Sequence, residues 1–492
     1  MKTLNRDCIC VVTSVNGGTP QEWSSRVIYQ LLTDRFALTN NATTPCPDIT
    51  TYCGGTFVGV EQHLDYIQGM GFDAIWISPI VTNTPGGYHG YWQQDIYTIN
   101  SNFGTDNDLL NLIGECHKRG IWVMLDVVAN HVGPVDFDYS TIVPFNQDSH
   151  YHGCSSCPSQ CTINVCIITN LIFQHYIIDI DIVVVVCYSL KNFNDQSEVE
   201  ICRLSGLPDL DQNNTFVREA LVNWIKNVTE FYGFDGIRID TVPEVDQDFW
   251  IEYTTAAGVY SVGEVYNGDV EYVASYQPVI DGLLSYPLFF VLRSVFAQQQ
   301  SMYQIQSMLQ QYNATGLHQQ YLGTFIDNQD QIRFLNEQSD IELYKNALTY
   351  ILTSEGIPIV YYGSEQAFNG GADPDNRETL WTTGFNTDST LYQFIRTVVL
   401  FVKQQSLYQY PQIQRYADDS FYAFTRGDTF VALTNGGSNQ GQISRTITYQ
   451  PYQDGTTLCN IFWPTEDCIK VVDGQFTIYL DNGESKIYYP LG

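Results

Sequence analysis

The sequence predicts an α/β fold: a (β/α)8 barrel with a small inserted domain after strand 3 and a C-terminal antiparallel β-sandwich. Three observations predict it. First, short apolar runs that end in polar residues alternate with helical stretches as far as about Ser406. Strands alternating with helices make a parallel sheet, and eight such strands close into a barrel. Second, residues 131–207 separate the third run from the fourth, too long a stretch for an ordinary loop. Third, beyond Ser406 short strands such as Phe421–Phe424, Thr429–Leu433, Thr446–Tyr449 and Phe476–Leu480 stand between Gly, Asp and Asn turns. The expected division is a barrel over 20–130 and 208–405, an inserted domain over 131–207 and a sandwich over 406–492.

The barrel strands are expected in order. Val27–Leu32 is the first, and Asp73–Pro79 the second, after a helix through Glu61 to Met70. Trp122–Val128 is the third, and Gly236–Asp240 the fourth, after a helix from Thr215 to Tyr232. Tyr260–Val265, Val279–Leu284, Leu322–Asp327 and Ile357–Tyr362 complete the eight.

The fourth strand carries the densest chemistry. In Gly236-Ile237-Arg238-Ile239-Asp240 apolar residues alternate with charged ones, so Arg238 and Asp240 point to one side. An Arg beside an Asp favours the ionised carboxylate and lowers its pKa. A fixed, ionised carboxylate at a strand end can act as a nucleophile. An isolated Arg-x-Asp is more often a structural ion pair, but three other runs end the same way: Trp122–His131 with Asp126, Asn130 and His131, Ser261–Val265 with Glu264, and Thr324–Asp330 with Asp327 and Asp330. Polar residues at the C-terminal ends of several strands make the active site of a (β/α)8 barrel. Carboxylates converging there point to glycoside hydrolysis, in which one attacks and another protonates the leaving oxygen.

These four stretches resemble the four signature regions of the α-amylase family, glycoside hydrolase family thirteen, in its fungal type. The likeness extends to Ile28–Phe36, Leu64–Phe72 and Tyr88–Asp95. It implies Asp240 as nucleophile, Glu264 as general acid/base and Asp330 as a stabilising carboxylate. It implies that His89, Tyr91, Trp92, His131, Arg238, Gln329, Asp373 and Arg377 line the sugar site, with Asp126 supporting Arg238. The cofactor it implies is Ca2+, held by Asn130, Glu200, Asp209 and the backbone carbonyl of Glu244. The implied substrates are starch, glycogen or maltooligosaccharides, cleaved internally by a monomer. A related α-glucan hydrolase or transglycosylase, and a non-catalytic glucan-binding relative, are the alternatives.

Three departures from the fungal pattern stand out. Gln329 stands where the family has His, and Pro243-Glu244 where it has Lys-His. Ala274 stands where the first cysteine of a disulfide is expected. An amide both donates and accepts but carries no charge, so weaker transition-state stabilisation is expected at Gln329.

Composition bounds the partners. The 492-residue chain has 54 acidic and 22 basic residues and a net charge of −32, which argues against nucleic acid and anionic membrane. Its 34 tyrosines suit sugar binding, although most Tyr residues fill cores and sheets. Among 13 cysteines, Cys46/Cys53 and Cys459/Cys468 are close pairs that suit disulfides in an oxidising compartment. Asn41, Asn213, Asn227 and Asn313 head Asn-x-Thr tripeptides, candidate glycan acceptors. Secretion is the expectation, although the apolar run Cys8–Val12 is short for a signal core, and the true start is expected upstream. Residues 155–190 include the apolar run Ile177–Val186 without turn signals and interrupt the family likeness. A translated intron is the expected explanation.

Overall fold

The computed structural model describes residues 18–135, 137–153, 163–165, 183–185 and 190–491. Eight parallel strands form the barrel: β1 (Ile28–Leu31), β2 (Ala74–Ile77), β3 (Trp122–Val127), β4 (Gly236–Ile239), β5 (Tyr260–Gly263), β6 (Gly282–Leu283), β7 (Gly323–Thr324) and β8 (Ile357–Tyr361). Their order around the sheet is β6-β5-β4-β3-β2-β1-β8-β7. A parallel bridge between Leu284 and Gly323 closes the ring.

All eight strands fall inside the predicted runs. β6 and β7 are shorter than predicted, because the chain leaves the ladder early. Ser285 N–H donates to the Gly323 carbonyl at 2.9 Å, and the helix Tyr286–Leu292 follows at once. The predicted helix through Glu61 to Met70 is two helices, Phe57–Gln62 and Leu64–Gly69. His63 breaks it with φ −116°, and its ring Nδ1 meets the Gly59 carbonyl at 2.9 Å. The helix Thr215–Tyr232 is as predicted, capped by Asn214 and ended by Gly233 at φ 78°.

Strand alternation sorts the barrel into two cores. Ile28, Trp76, Met124, Tyr260, Val262 and Ile359 point inward and pack with Trp23 at the barrel floor. Tyr29, Ile75, Ile77, Leu125, Ile237 and Ile239 point outward under the helices. Both faces are therefore buried, which is why the strands read as nearly unbroken apolar runs. Gln30, Asp126 and Arg238 interrupt those runs on inward positions, and these are the positions that build the site.

Beyond the barrel, six strands from Ile413–Ala417 to Lys486–Pro490 form one sheet, and Gln442–Ile447 pairs antiparallel with Phe476–Asp481 in another. The predicted strand Thr446–Tyr449 thus begins earlier and ends at Ile447, the position that plugs the inter-sheet core. In Phe421–Arg426 odd and even positions both find cores. Phe421 and Ala423 face the second sheet, while Tyr422 and Phe424 join the barrel's outer core.

Both expected disulfides, Cys46–Cys53 and Cys459–Cys468, are formed. Within the stretch expected to be a translated intron, Ile163–Val165 pairs antiparallel with Val183–Val185; the rest of that expectation lies outside the described residues. No described helix is long and apolar enough to cross a membrane.

Candidate active site

One guanidinium organises the C-terminal mouth of the barrel. Arg238, fully buried, donates from Nη1 to Asp126 Oδ1 at 2.9 Å and to Asp240 Oδ1 at 2.8 Å. Its Nη2 donates to Glu264 Oε2 at 2.6 Å. The three carboxylates arrive from β3, β4 and β5, so strand register alone brings them together: Asp126 lies opposite Arg238, and Arg238 opposite Val262, two residues before Glu264. Asp240 and Glu264 keep 7% and 8% of their surface, enough to touch a ligand, while Asp126 keeps 1% and serves the interior.

Each carboxylate has further donors. Trp76 Nε1 and Tyr91 OH reach Asp126 Oδ2 at 3.0 and 2.8 Å. Tyr286 OH reaches Glu264 Oε1 at 3.0 Å and itself accepts from Asn328 Nδ2 at 2.9 Å. Thr241 takes a left-handed conformation, φ 49°. It bonds the pair from both ends, its hydroxyl to Asp240 Oδ2 at 3.2 Å and its N–H to Glu264 Oε2 at 3.3 Å. A β-branched residue at positive φ is strained backbone, tolerated where the surroundings hold it, as at functional sites.

Burial dominates the electrostatics. Loss of water pushes Asp240 well above the usual carboxylate range, and the charges of Glu264, Asp126 and Asp330 add to the rise against the pull of Arg238. The expectation of a lowered Asp240 is therefore corrected: one guanidinium does not offset burial among four carboxyls. Asp330, whose side chain keeps 38% of its surface at the rim, is pushed up to about 7 by loss of water in the cleft and then by Glu264, with Arg377 opposing. Such a cluster shares protons as a unit.

Of the residues expected to line the sugar site, His89, His131 and Gln329 meet at Tyr91. His89 stacks on it at 5.6 Å and meets Trp92 edge-on at 4.9 Å. Gly90 between them has φ +93°, and a Cβ there would stand 2.6 Å from the Pro79 carbonyl. Only glycine lets the turn sit that close. Arg377 pairs with Asp373 at 2.9 Å and with Asp330 at 3.5 Å, and its Nε donates to the Gln329 carbonyl at 3.0 Å.

Gln329 keeps only 1% of its surface. Its Oε1 accepts from Gln30 Nε2 at 2.5 Å, and its Nε2 donates to Tyr91 OH at 3.1 Å. The amide thus acts on the cleft through Tyr91. Gln30 Oε1 is buried without a partner, so the Gln30 amide can turn over to receive a ring N–H. Gln329→His is accordingly expected to raise kcat/KM on maltoheptaose several-fold. The gain needs a ring kept charged by Asp126 and Asp330 against the burial that makes His89 and His131 neutral. A charged donor contributes about 1 kcal/mol more than a neutral one, close to the 1.36 kcal/mol of a tenfold rate change. A ratio well below one would show that the pocket is tuned to the amide.

The calcium expectation can be tested on hydrogen bonding. Burial lowers His131 to about 4, so its ring is neutral. Its Nε2–H donates to the Tyr91 carbonyl at 3.1 Å, which leaves Nδ1 to accept from Asn130 Nδ2 at 3.3 Å. That bond turns the Asn130 amide oxygen toward Asp209 Oδ1 at 2.8 Å and the Glu244 carbonyl at 3.1 Å. In this orientation three oxygens face one another; turning the amide over would let Nδ2 donate to both neighbours but would set its oxygen against the lone pair of His131 Nδ1. A hard cation suits this oxygen set, so the residues fit calcium. Asp209 is buried and pushed up to about 7 by loss of water, a cost a cation would remove. Glu200 is placed differently: its Oε1 accepts from Gln196 Nε2 at 2.8 Å, and that same amide bonds the Pro243 carbonyl at 2.9 Å.

Gln30, Trp76, Thr241, Tyr286 and Asn328 were not singled out from sequence. A polar Gln30 inside an apolar strand was a usable signal. Tyr286 had none, since only the pairing of β6 with β5 brings it to Glu264.

Fold and site together define the class, a (β/α)8 glycoside hydrolase working with paired carboxylates. The family model for the α-amylase catalytic domain matches residues 30–158 and 201–391. An α-amylase 2 of Schwanniomyces occidentalis is 36% identical over 95% of this chain and 90% of its own length. The α-amylase 1 of Lipomyces kononenkoae is 40% identical over 78% of this chain, a match that spans 59% of that protein. The structure of an α-amylase from Malbranchea cinnamomea superposes with a TM-score of 0.86 at 36% identity, over 96% of this chain and 98% of that one. The chain belongs to the α-amylase family.

Proposed function

We propose that this protein is an endo-acting, retaining hydrolase of α-1,4-glucosidic bonds in starch, glycogen and maltooligosaccharides. The observation that carries the reading is the Arg238 fork, which holds Asp240 and Glu264 side by side at the mouth of the barrel. Asp240 attacks the anomeric carbon and forms a glycosyl-enzyme bond. Glu264 protonates the departing oxygen and then takes a proton from the incoming water. Asp330, gripped by Arg377, holds sugar hydroxyls and favours the positively charged transition state. His89, Tyr91, Trp92, His131 and Asp373 shape the donor side. His89 and His131, held down to about 3 and about 4 chiefly by burial, act there as neutral hydrogen-bonding rings.

Asn130, Asp209 and the Glu244 carbonyl would hold Ca2+, with Glu200 next to them. The bound ion would supply a structural charge tying the segment 131–207 to the barrel. Removing it is expected to lower the Tm, since a ligand at a hundredfold excess over its Kd stabilises the folded state by about 2.7 kcal/mol. A melting curve unmoved by exhaustive chelation would count against the site. The segments 20–130 with 208–405, 131–207 and 406–492 are proposed as the three domains, in a secreted monomer whose disulfides Cys46–Cys53 and Cys459–Cys468 suit an oxidising compartment.

The test is incubation with soluble starch and maltoheptaose, following products and anomers by NMR. Internal cleavage with the α-anomer appearing first is expected. A β-anomer first, or no cleavage, would overturn the reading.

A further inference from the structure

A groove on the outer wall of the barrel takes no part in this chemistry. It has a volume of about 620 Å3, and its walls include Ile80, Ile96, Tyr97, Leu110, Val228 and Phe231. Two of its aromatic side chains are open to solvent, Tyr97 at 58% and Phe231 at 63%. An uncovered apolar patch of this kind marks a place where something sits. Asn227 lines the same groove. It is exposed and lies four residues before Phe231 in the helix Thr215–Tyr232, so the two share one face. Asn227 also heads the acceptor tripeptide Asn227-Val228-Thr229, and Asn41, Asn213 and Asn313 are not among the residues of this groove.

We propose that Asn227 carries an N-linked glycan whose first N-acetylglucosamine rings lie over Phe231 and Tyr97 and cover the groove. The proposal rests on the secretory route proposed above. The donor is a lipid-linked diphospho-oligosaccharide. Asn227 Nδ2 forms a bond to C1 of the sugar, the bond from C1 to the diphosphate oxygen breaks, and the lipid diphosphate leaves with the electron pair. The displaced amide proton goes to a base of the transferase, and nothing is oxidised or reduced. Ring faces of Phe231 and Tyr97 suit the C–H faces of the sugars, and the carboxylates of Asp106 and Glu230 in the groove accept from their hydroxyls. The timing also follows from the structure. Thr229 is buried, its hydroxyl bonded to the carbonyls of Ile225 at 3.0 Å and Ala257 at 2.9 Å. The folded helix therefore hides the tripeptide's hydroxyl, and transfer precedes folding of this helix.

The test expresses the full chain in a secreting yeast behind a secretory leader. Protein from the medium and from the microsomal fraction is treated with peptide:N-glycosidase in 18O water and mapped by mass spectrometry. Asn227 is expected to become 18O-labelled Asp in both fractions, with the label lost in Asn227→Gln and starch hydrolysis unchanged. Glycan release from the native protein is expected to speed up several-fold in Phe231→Ala. An unmodified Asn227 in microsomal protein overturns the proposal. So does a native release rate that Phe231→Ala leaves unmoved, or an Asn227 that stays unmodified while maltoheptaose protects the groove. Labelled microsomal protein that never reaches the medium leaves the glycan standing and sinks only the secretory reading.

Discussion

Asp240→Asn is expected to lower kcat on soluble starch by about 10^4-fold or more, in line with the loss on removing the nucleophile of a covalent mechanism. The amide keeps the shape of the carboxylate: its oxygen can still accept from Arg238 while its Nδ2 donates to the Thr241 hydroxyl, so the barrel mouth should keep its geometry. Stability should not fall with activity. Asp240 is pushed well above the usual carboxylate range by burial and by its acidic neighbours. A carboxyl raised in the folded state contributes its stability below its unfolded pKa and loses it as pH rises through the folded one. An amide has no such loss. The Tm of Asp240→Asn is therefore expected to equal or exceed the parent's, with the difference widening as pH rises above the ordinary carboxylate range. Reducing-sugar release and thermal melts at several pH values measure both. Substantial residual turnover would move the nucleophile elsewhere, and a lower Tm at every pH would make Asp240 a structural partner of Arg238.

Arg238→Leu should be the most disruptive single change in the site. It leaves Asp126, Asp240 and Glu264 without the cation that bonds all three. Breaking a buried ion pair by deleting one partner costs about 3–5 kcal/mol, because an uncompensated charge stays behind. Hydrolysis should be lost as well, since nothing then holds Asp240 and Glu264 in register. Arg238→Lys should fall between, since an ammonium lacks the planar fork that spans several carboxylates. A double variant separates charge from packing: Asp126→Asn added to Arg238→Leu should recover part of the lost stability. Chemical denaturation of the three variants reads this directly. A cost under about 1 kcal/mol for Arg238→Leu, the range of an exposed pair, would mean the fork holds nothing together.

Much of the fold was legible in the residues, because strand and helix periodicities are local. The eight barrel runs, the helix Thr215–Tyr232 and the pairs Cys46–Cys53 and Cys459–Cys468 all follow from neighbours in sequence. Arg238 and Asp240 share a side because the strand period is two, and that needs no knowledge of the fold. The break at His63 and the early ends of β6 and β7 were not legible. They depend on where a ring finds a carbonyl and on how the last strands meet to close the barrel.

The sequence by itself marked the side chains proposed to carry the chemistry and placed them at strand ends. Only the tertiary structure decided how they work together. Tyr286 reaches Glu264 across 22 residues and Gln30 reaches Gln329 across 299, contacts that exist only once β6 pairs with β5 and β8 pairs with both β1 and β7. Whether Asp240 sits above or below the usual carboxylate range was decided there too. Its partner Arg238 is two residues away in sequence, but the burial and the three other carboxyls that outweigh that partner belong to the assembled barrel.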